Sequence, residues 1–198
     1  MVELPQLGPA CQRCAMPLQS AQICGRCLRS APVQDKAFSL YRYEGSVRRC
    51  ITAFKYHQQL HKGDMFAANM AAVLSGRDRL PDCLVPIPLN PLRLRQRGFN
   101  QASELARNLS AELGLPCRPD LLRRQKYTRS QSQLSFRERQ RNIRGAFRCE
   151  ALSVPEHIAL IDDVLTSGHT AAEAATTLRR QGSKIIEVWT IARAISHY

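Results

Sequence analysis

Apolar and polar positions divide most of the chain into short apolar runs and longer amphipathic stretches. Runs of four to eight apolar or alternating residues, bounded by Gly, Pro or charged residues, are typical of strands. They predict strands at 38–45, 83–88, 157–161 and 185–192. Apolar residues spaced three or four apart predict helices at 46–56, 63–75, 100–113 and 170–181. Because strands alternate with helices, we expect an α/β fold, with a largely parallel sheet covered by helices on both faces.

Two segments do not follow this alternation. Residues 1–34 are rich in cysteine and lack helical periodicity, so they are predicted to form a small N-terminal module. Residues 123–145 are polar, very basic and weakly periodic, and they predict a mobile loop with a short helix. The 198 residues are enough for one α/β domain, placed at 35–198, in addition to the module.

The N-terminal module contains the motifs CQRC and CGRC, separated by nine residues. Four thiolates in two close pairs can complete a tetrahedral zinc site, and with every position filled by protein the metal would be structural. Metal binding would supply folding energy that so short a segment lacks. The alternative is a redox pair or two disulfides. The predicted zinc ligands, called the cysteine cluster below, are Cys11, Cys14, Cys24 and Cys27. The remaining cysteines are interpreted as small buried apolar residues: Cys50, Cys83, Cys117 and Cys149.

The strand predicted at 157–161 leads into two acids and a small, hydroxyl-rich turn. Asp162 and Asp163, the acidic pair, are followed by two apolar residues and by the 166–170 loop, Thr-Ser-Gly-His-Thr. Ligands of parallel sheets bind beyond the carboxyl ends of strands, and unpaired N–H groups at a helix start suit a phosphate. Two carboxylates suit a diol, a Mg²⁺ shell or both, so ribose 5-phosphate would match the segment. The alternative is an ordinary polar strand end with Thr170 as an N-cap.

The chain is strongly basic, with a net charge of +13 and a pI of about 9.9. This balance favours a polyanionic partner, which would be nucleic acid, a phosphate-rich ligand or an anionic membrane. Residues 93–148 contain fourteen Lys or Arg against four acids and so carry a net charge of +10. The alternative interpretation is a solvated basic face.

Targeting signals are not visible in the sequence. No apolar run approaches the roughly 20 residues of a membrane span. The N-terminus lacks the basic start and apolar stretch of a secretory signal. We therefore expect a cytoplasmic protein whose cysteines are reduced.

The motif ALIDDVLTSGHT (159–170) resembles the phosphoribosyl pyrophosphate (PRPP) signature of type I phosphoribosyltransferases. Together with the cysteine cluster, three further motifs resemble the ComF/GntX family in order and spacing: FKY (54–56), VPIPLNPLRLRQRGFNQ (85–101) and KYTRSQSQLSFRERQRNIRGAF (126–147). That family is tied to DNA uptake in natural competence and to the use of DNA as a nutrient. The resemblance covers nearly the whole chain and implies a type I phosphoribosyltransferase-like sheet with a zinc-binding appendage.

The resemblance implies roles for individual residues. The PRPP-binding segment, with Mg²⁺ accompanying PRPP, would be Asp162, Asp163, Val164, Leu165, Thr166, Ser167, Gly168, His169 and Thr170. The candidates for binding pyrophosphate or closing over it are Arg95, Arg97, Lys126, Arg129 and Arg137. The basic charge of the module and of the middle segment, and not the resemblance, gives the candidates for DNA binding, which are Arg13, Arg26, Arg29, Arg123 and Arg124. No catalytic residue is assigned.

Three functions fit these observations. The first is a DNA-uptake or DNA-utilisation protein that binds single-stranded DNA and carries a site for PRPP or ribose 5-phosphate. The second is an active phosphoribosyltransferase that releases pyrophosphate from PRPP, with an unknown acceptor. The third is a zinc-dependent adaptor for other competence proteins, such as a helicase.

Overall fold

The computed structural model describes residues 4–20, 22–56, 59–125 and 143–195. In chain order the strands are β1 (Lys36–Arg42), β2 (Cys83–Pro86), β3 (Arg123–Arg124), β4 (Phe147–Arg148), β5 (His157–Leu165) and β6 (Ile185–Arg193). The helices are α1 (Gly25–Arg29), α2 (Gly45–Tyr56), α3 (His61–Leu74), α4 (Pro91–Arg97), α5 (Gln101–Leu113) and α6 (His169–Arg180). Among these residues no helix is long and apolar enough to cross a membrane.

The predicted α/β fold with a parallel sheet is confirmed. Four parallel strands lie in the order β1-β6-β5-β2, and β3 and β4 form a separate antiparallel pair. One apolar cluster packs α2, α3 and α5 against the sheet around Phe54 and Trp189. A second cluster includes Ala174 and Leu178 of α6 together with Leu160 of β5. Helices therefore cover both faces, as expected for strands that are apolar almost throughout.

The structure extends one predicted strand and adds a helix after β2. The strand expected to end at residue 161 continues to Leu165, because Val164 and Leu165 stay in register with Ala192 and Arg193 of β6. The acidic pair therefore lies inside β5. Helix α4 is not among the helices that the pattern of apolar positions predicts. Pro91 stands in its first turn, where a missing N–H costs nothing, and the Asn90 side chain caps it.

Both outer edges of the four-stranded sheet are covered by other parts of the chain. At the β1 edge, Leu7 N–H donates to the Leu40 carbonyl at 2.9 Å, and Gln6 forms an antiparallel bridge with Tyr41. At the β2 edge, Leu84 forms a parallel bridge with Cys117. The N-terminal segment is thus packed on the sheet. The division into 1–34 and 35–198 stays a prediction.

The structure tests some of the remaining predictions and leaves others outside the described residues. The predicted loop at 123–145 includes 126–142, which lie outside the described residues. Lys126, Arg129 and Arg137 are among them, and their proposed role stays a prediction. Among the cysteines outside the cluster, Cys83 is buried, whereas the other three are half-buried against the two apolar clusters. The interpretation as buried apolar residues is therefore confirmed for Cys83 and too strong for the rest.

Candidate functional site

The acidic pair lies near the carboxyl end of β5 and is held by a lysine from helix α2. Asp163 forms an ion pair with Lys55, with 2.9 Å between Asp163 Oδ2 and Lys55 Nζ. Both side chains are largely buried, with 13% of Asp163 and 17% of Lys55 exposed. Burial alone would lower the pKa of Lys55, but the Asp163 carboxylate raises it above its ordinary value. The lysine therefore stays charged and supplies a fixed positive group beside the strand end.

Asp162 has different neighbours, because successive residues of a strand point to opposite faces. Burial raises the pKa of Asp162 to about 7, and the negative charge of Asp163 adds to the rise. The Asp163 N–H donates to Asp162 Oδ1 at 2.8 Å, which partly opposes it. Burial lowers the pKa of Arg124, as does the nearby Arg93, while Asp162 raises it. The charges of Lys55 and Arg124 also oppose the rise in the pKa of Asp162.

The 166–170 loop turns directly into helix α6. Gly168 has a φ of +80°, a left-handed conformation that glycine adopts without steric cost, and it stands at the N-cap position. The helix begins at His169, one residue earlier than expected. The carbonyl of Gly168 accepts from Ala172 N–H at 2.8 Å, and Ser167 Oγ lies 3.2 Å from His169 Nδ1. The first N–H groups of an α-helix point toward its N-terminus, which for α6 is the 166–170 loop. The helix dipole favours an anion at this end.

Helix α4 contributes an arginine that packs on an aromatic ring at the end of helix α2. Arg97 donates to the Tyr56 hydroxyl at 2.7 Å, and its guanidinium carbon lies 4.5 Å from the centre of that ring. Arg97 also donates to Gln101, whose side chain reaches the Lys55 carbonyl. Arg97 is thereby linked through Gln101 to Lys55, the residue that forms the ion pair with Asp163. Arg95, in contrast, is exposed.

The two arginines of β3 occupy different environments. Arg124 is half-buried, lies 5.5 Å over the Phe147 ring and donates to the Pro88 carbonyl at 3.5 Å. Arg123 is exposed and pairs with Glu150 at 3.6 Å. Both were proposed as DNA-binding residues, and that role stays a prediction. Arg124 lies close enough to Asp162 for their charges to interact, whereas Arg123 is at the surface.

The cysteine cluster is brought together as one group. The four Sγ atoms lie within 4.8 Å of one another, and those of Cys14 and Cys24 are 3.7 Å apart. Zinc with four ligands at about 2.3 Å requires sulfur atoms about 3.8 Å apart, so the arrangement fits a tetrahedral ion. Four mutually close thiols favour one metal site over two separate pairs. The cluster can hold a metal ion, as predicted.

The surroundings of the cluster are compatible with thiolate ligands. Burial would raise the pKa of Cys11, but backbone N–H groups, first that of Cys24, lower it to about 7. Burial raises the pKa of Cys14 to about 11, and a bound metal ion would oppose that rise. Arg26 and Arg29 are exposed beside the cluster, and Arg13 is half-buried. These three arginines therefore form the charged surface of the module.

Three residues of this region were not selected from the sequence. Lys55 and Tyr56 belong to the motif FKY, which contributed only to the family resemblance. Arg193 ends β6, and it donates from Nε to the Cys14 carbonyl at 2.9 Å and from Nη1 to the Thr166 carbonyl at 2.6 Å. A charged residue between two aromatic residues in FKY was the sequence feature that could have pointed to Lys55 and Tyr56. No sequence feature points to Arg193, because its hydrogen-bond acceptors are backbone carbonyls.

The fold and the site together define a class of protein: a parallel α/β sheet that carries a strand-end acidic pair, a loop at a helix start, and an N-terminal four-cysteine cluster.

No family model matches the chain. Among solved structures, an adenine phosphoribosyltransferase from Leishmania tarentolae is similar with a TM-score of 0.41 and 11% identity, over 71% of this chain and 74% of that one. A TM-score this low does not bear on function.

Several relatives match over nearly the whole length. Competence protein F of Haemophilus influenzae is 35% identical over 196 residues, covering 94% of this chain and 85% of the relative. The DNA utilization protein YhgH of Escherichia coli K12 is 31% identical over 191 residues, covering 93% and 84%. Competence protein ComFC of Bacillus subtilis is 27% identical over 192 residues, covering 88% and 73%. The chain belongs to the competence protein F (ComF) family, as the sequence motifs predicted.

Proposed function

We propose that the chain is a DNA-uptake or DNA-utilisation protein that binds single-stranded DNA and holds PRPP or ribose 5-phosphate at residues 162–170. One observation carries the ligand site: the acidic pair, the glycine turn and the first turn of α6 meet at one end of β5, beside Lys55. The names of the relatives, which refer to competence and DNA utilization, support the role in DNA handling.

Each part of the site would have a separate task. The carboxylates of Asp162 and Asp163 would accept hydrogen bonds from the ribose hydroxyls. The N–H groups of the 166–170 loop and its hydroxyl side chains would donate to the 5-phosphate. Lys55 and Arg97 would attract the remaining phosphates. Carboxylate oxygens of the acidic pair also suit Mg²⁺, directly or through water, and the ion would neutralise charge on the pyrophosphate group.

The proposed ligand site predicts a specific effect of one glycine substitution. Gly168→Ala should weaken ribose 5-phosphate binding about tenfold, because a φ of +80° strains an alanine by roughly 1–2 kcal/mol and relaxation would re-aim the loop N–H groups. The added Cβ would lie 3.9 Å from Leu165 Cδ1, so the free protein has room for it. Titration calorimetry of purified protein measures the affinity.

Gly114→Ala is the matched control for this substitution. Gly114 ends helix α5 with a φ of +66°, and an added Cβ would meet nothing within 4 Å. Both variants should lose similar stability in urea, while Gly114→Ala keeps the affinity of the unmodified chain. Equal affinities in both glycine variants would place the phosphate away from the loop.

Single-stranded DNA is proposed to bind through the basic residues of the N-terminal module and of 93–148. Phosphate contacts release counterions, so the affinity should fall steeply with salt, with a log–log slope of about −0.7 per phosphate neutralised. Changing Arg13, Arg26 and Arg29 together to Ala should make the slope less negative by about 2 and weaken binding for all sequences alike. Fluorescence anisotropy of labelled oligonucleotides at several salt concentrations measures both quantities.

A control with the same loss of charge separates local contacts from the general field of the protein. Arg49, Arg79 and Arg180 are exposed and lie outside both proposed DNA-binding segments, on α2, between α3 and β2, and at the end of α6. Their triple Ala variant should keep a slope within about 0.5 of the unmodified chain. If both triple variants changed the slope equally, the module would have no particular role in DNA binding.

An active phosphoribosyltransferase is the second candidate function. The charge interaction between Arg124 and Asp162 favours it, because it brings a basic residue within range of the acidic pair. The double variant Asp162→Asn with Asp163→Asn separates the two candidates. Separate sites predict that PRPP binding is lost while DNA binding is kept or strengthened, since two negative charges are gone. Loss of both ligands in a folded double variant would indicate one substrate site, and a search for pyrophosphate release would follow.

A further inference from the structure

One buried side chain joins the cysteine cluster to the 166–170 loop. Arg193, the last residue of β6, is only 5% exposed. Its Nε donates to the Cys14 carbonyl at 2.9 Å. Its Nη1 donates to the carbonyls of Leu165 at 2.8 Å and Thr166 at 2.6 Å, and also to that of Ala194. A single guanidinium group therefore extends from a predicted metal ligand to the first residue of the loop.

An arginine is the side chain that this position requires. Its planar group directs several N–H donors at fixed angles, whereas lysine has one compact ammonium group that cannot reach carbonyls on two sides. These acceptors belong to the backbone, so their positions follow the path of the chain. A buried carbonyl that loses its donor is costly, which makes the two ends of the link dependent on each other.

Both ends of this link are short turns whose shape is set locally. Cys14 lies in a tight turn closed by Cys11, whose N–H donates to the Met16 carbonyl and whose own carbonyl accepts from Ala15 N–H, both at 2.8 Å. A metal ion bound by the cluster would fix this turn. At the other end, the chain passes from Thr166 through the glycine turn into α6 within three residues. A displaced Thr166 carbonyl would therefore re-orient the N–H groups of the loop.

We propose that Arg193 is a positioning residue that couples metal binding in the cysteine cluster to anion binding at the 166–170 loop. Metal binding fixes the Cys14 carbonyl, Arg193 stays aligned between the two turns, and the loop N–H groups keep the direction that a phosphate needs. The anion part of this inference rests on the proposed function, whereas the mechanical link can be measured without any ligand.

Hydrogen exchange of the full-length chain tests the link directly. Removing zinc with a chelator should accelerate exchange of the amides at 172–175 about tenfold, because these amides donate to carbonyls of the 166–170 loop and of the first turn of α6. The exchange of these amides is called loop exchange below, and the amides of β6 at 186–191 serve as the internal reference and stay protected. In Arg193→Lys, exchange of the loop should already be fast with zinc bound, and the chelator should add little. If zinc removal left loop exchange in the unmodified chain unchanged, the coupling would be wrong, and this result does not depend on whether the variant folds.

Arg179→Lys is the matched control variant. Arg179, on α6, also ties the N-terminal region to the domain, by donating from Nη2 to the Val33 carbonyl at 3.1 Å and to Asp35 Oδ2 at 2.7 Å. Its side-chain hydrogen bonds among the described residues go to Val33, Asp35 and Lys184, and none goes to the loop. Its loop should respond to zinc removal as in the unmodified chain. The same loss of response in both arginine variants would assign the effect to general loosening of the N-terminal region.

Affinity for ribose 5-phosphate completes the test. Arg193→Lys and zinc removal should each weaken binding about tenfold, and together they should weaken it no further than either alone, because both break the same link. Independent, multiplying effects would overturn the coupling. If the zinc-bound, unmodified chain failed to bind ribose 5-phosphate or PRPP, the proposed function would fail, and the exchange experiment would still decide whether the link exists.

Discussion

Asp162→Asn is expected to weaken Mg²⁺-assisted PRPP binding by about 30- to 100-fold and, at pH 8, to raise the melting temperature of the free protein. The loss follows from removing one charged acceptor for the ribose hydroxyls or for the metal shell, worth roughly 2–3 kcal/mol. The substitution is conservative, because Asn Oδ1 can still accept the Asp163 N–H that Asp162 accepts at 2.8 Å. Calorimetry measures the binding, and a thermal scan measures the stability.

The gain in stability has a definite pH dependence. Burial raises the folded-state pKa of Asp162 to about 7, above the unfolded value of about 3.9. The stability contributed by the protonated carboxyl group is therefore fully present below about pH 4 and is lost as the pH rises through about 7. Asn cannot ionise, so the variant should melt roughly 2–4 °C higher at pH 8, which corresponds to about 1 kcal/mol for a chain of this size, and should show no gain at pH 4.

These opposite signs make the experiment difficult to misinterpret. A variant that loses ligand and gains stability cannot owe the loss to misfolding. Asp120→Asn, at an exposed site where Asp120 pairs with Arg118, is the control and should change neither quantity by much. Unchanged PRPP affinity in Asp162→Asn would remove this carboxylate from the ligand site.

Loss of the metal ligands is expected to have the largest structural effect. Replacing Cys11 and Cys14 with Ser should reduce zinc from about one ion per chain to none and leave the N-terminal module unfolded, because zinc binding to small modules contributes roughly 10–16 kcal/mol of folding free energy. Elemental analysis of purified protein measures the metal, and limited proteolysis measures the order of the module.

A pair of cysteines outside the cluster provides the control. Cys50 and Cys149 are half-buried and lie outside the group of four close sulfur atoms, so their double Ser variant should keep one zinc ion and an intact module. A metal-free protein in which the N-terminal module still resisted proteolysis would contradict the structural role of the ion.

The sequence pattern predicted the parallel sheet well because its strands are buried and therefore nearly continuous in apolar residues. It misplaced the end of β5, since two charged residues in a row are typical of a strand end. The ladder nevertheless continues, because Asp162 pairs with Thr190 and Val164 with Ala192. Local composition could not show this, because the pairing depends on a strand more than twenty residues away.

The candidate site depends even more on contacts between residues that are distant in the sequence. The acidic pair and the cysteine cluster are local motifs, so their spacing was enough to select them. Lys55 is 108 positions from Asp163, and only the folded packing of α2 against β5 brings them within 2.9 Å. Helix α4 also depends on a distant contact, because Arg97 at its end packs on Tyr56. A prediction from local pattern cannot include contacts of this kind.

The pairing of Gln6 and Leu7 with β1 has a consequence for any attempt to dissect the protein. A fragment that begins at residue 35 would present β1 with a row of unpaired N–H and C=O groups. Bare edges of this kind are templates for pairing between molecules. We therefore expect such a fragment to aggregate, so that weak DNA binding by the fragment would report its self-association and not the contribution of the missing module.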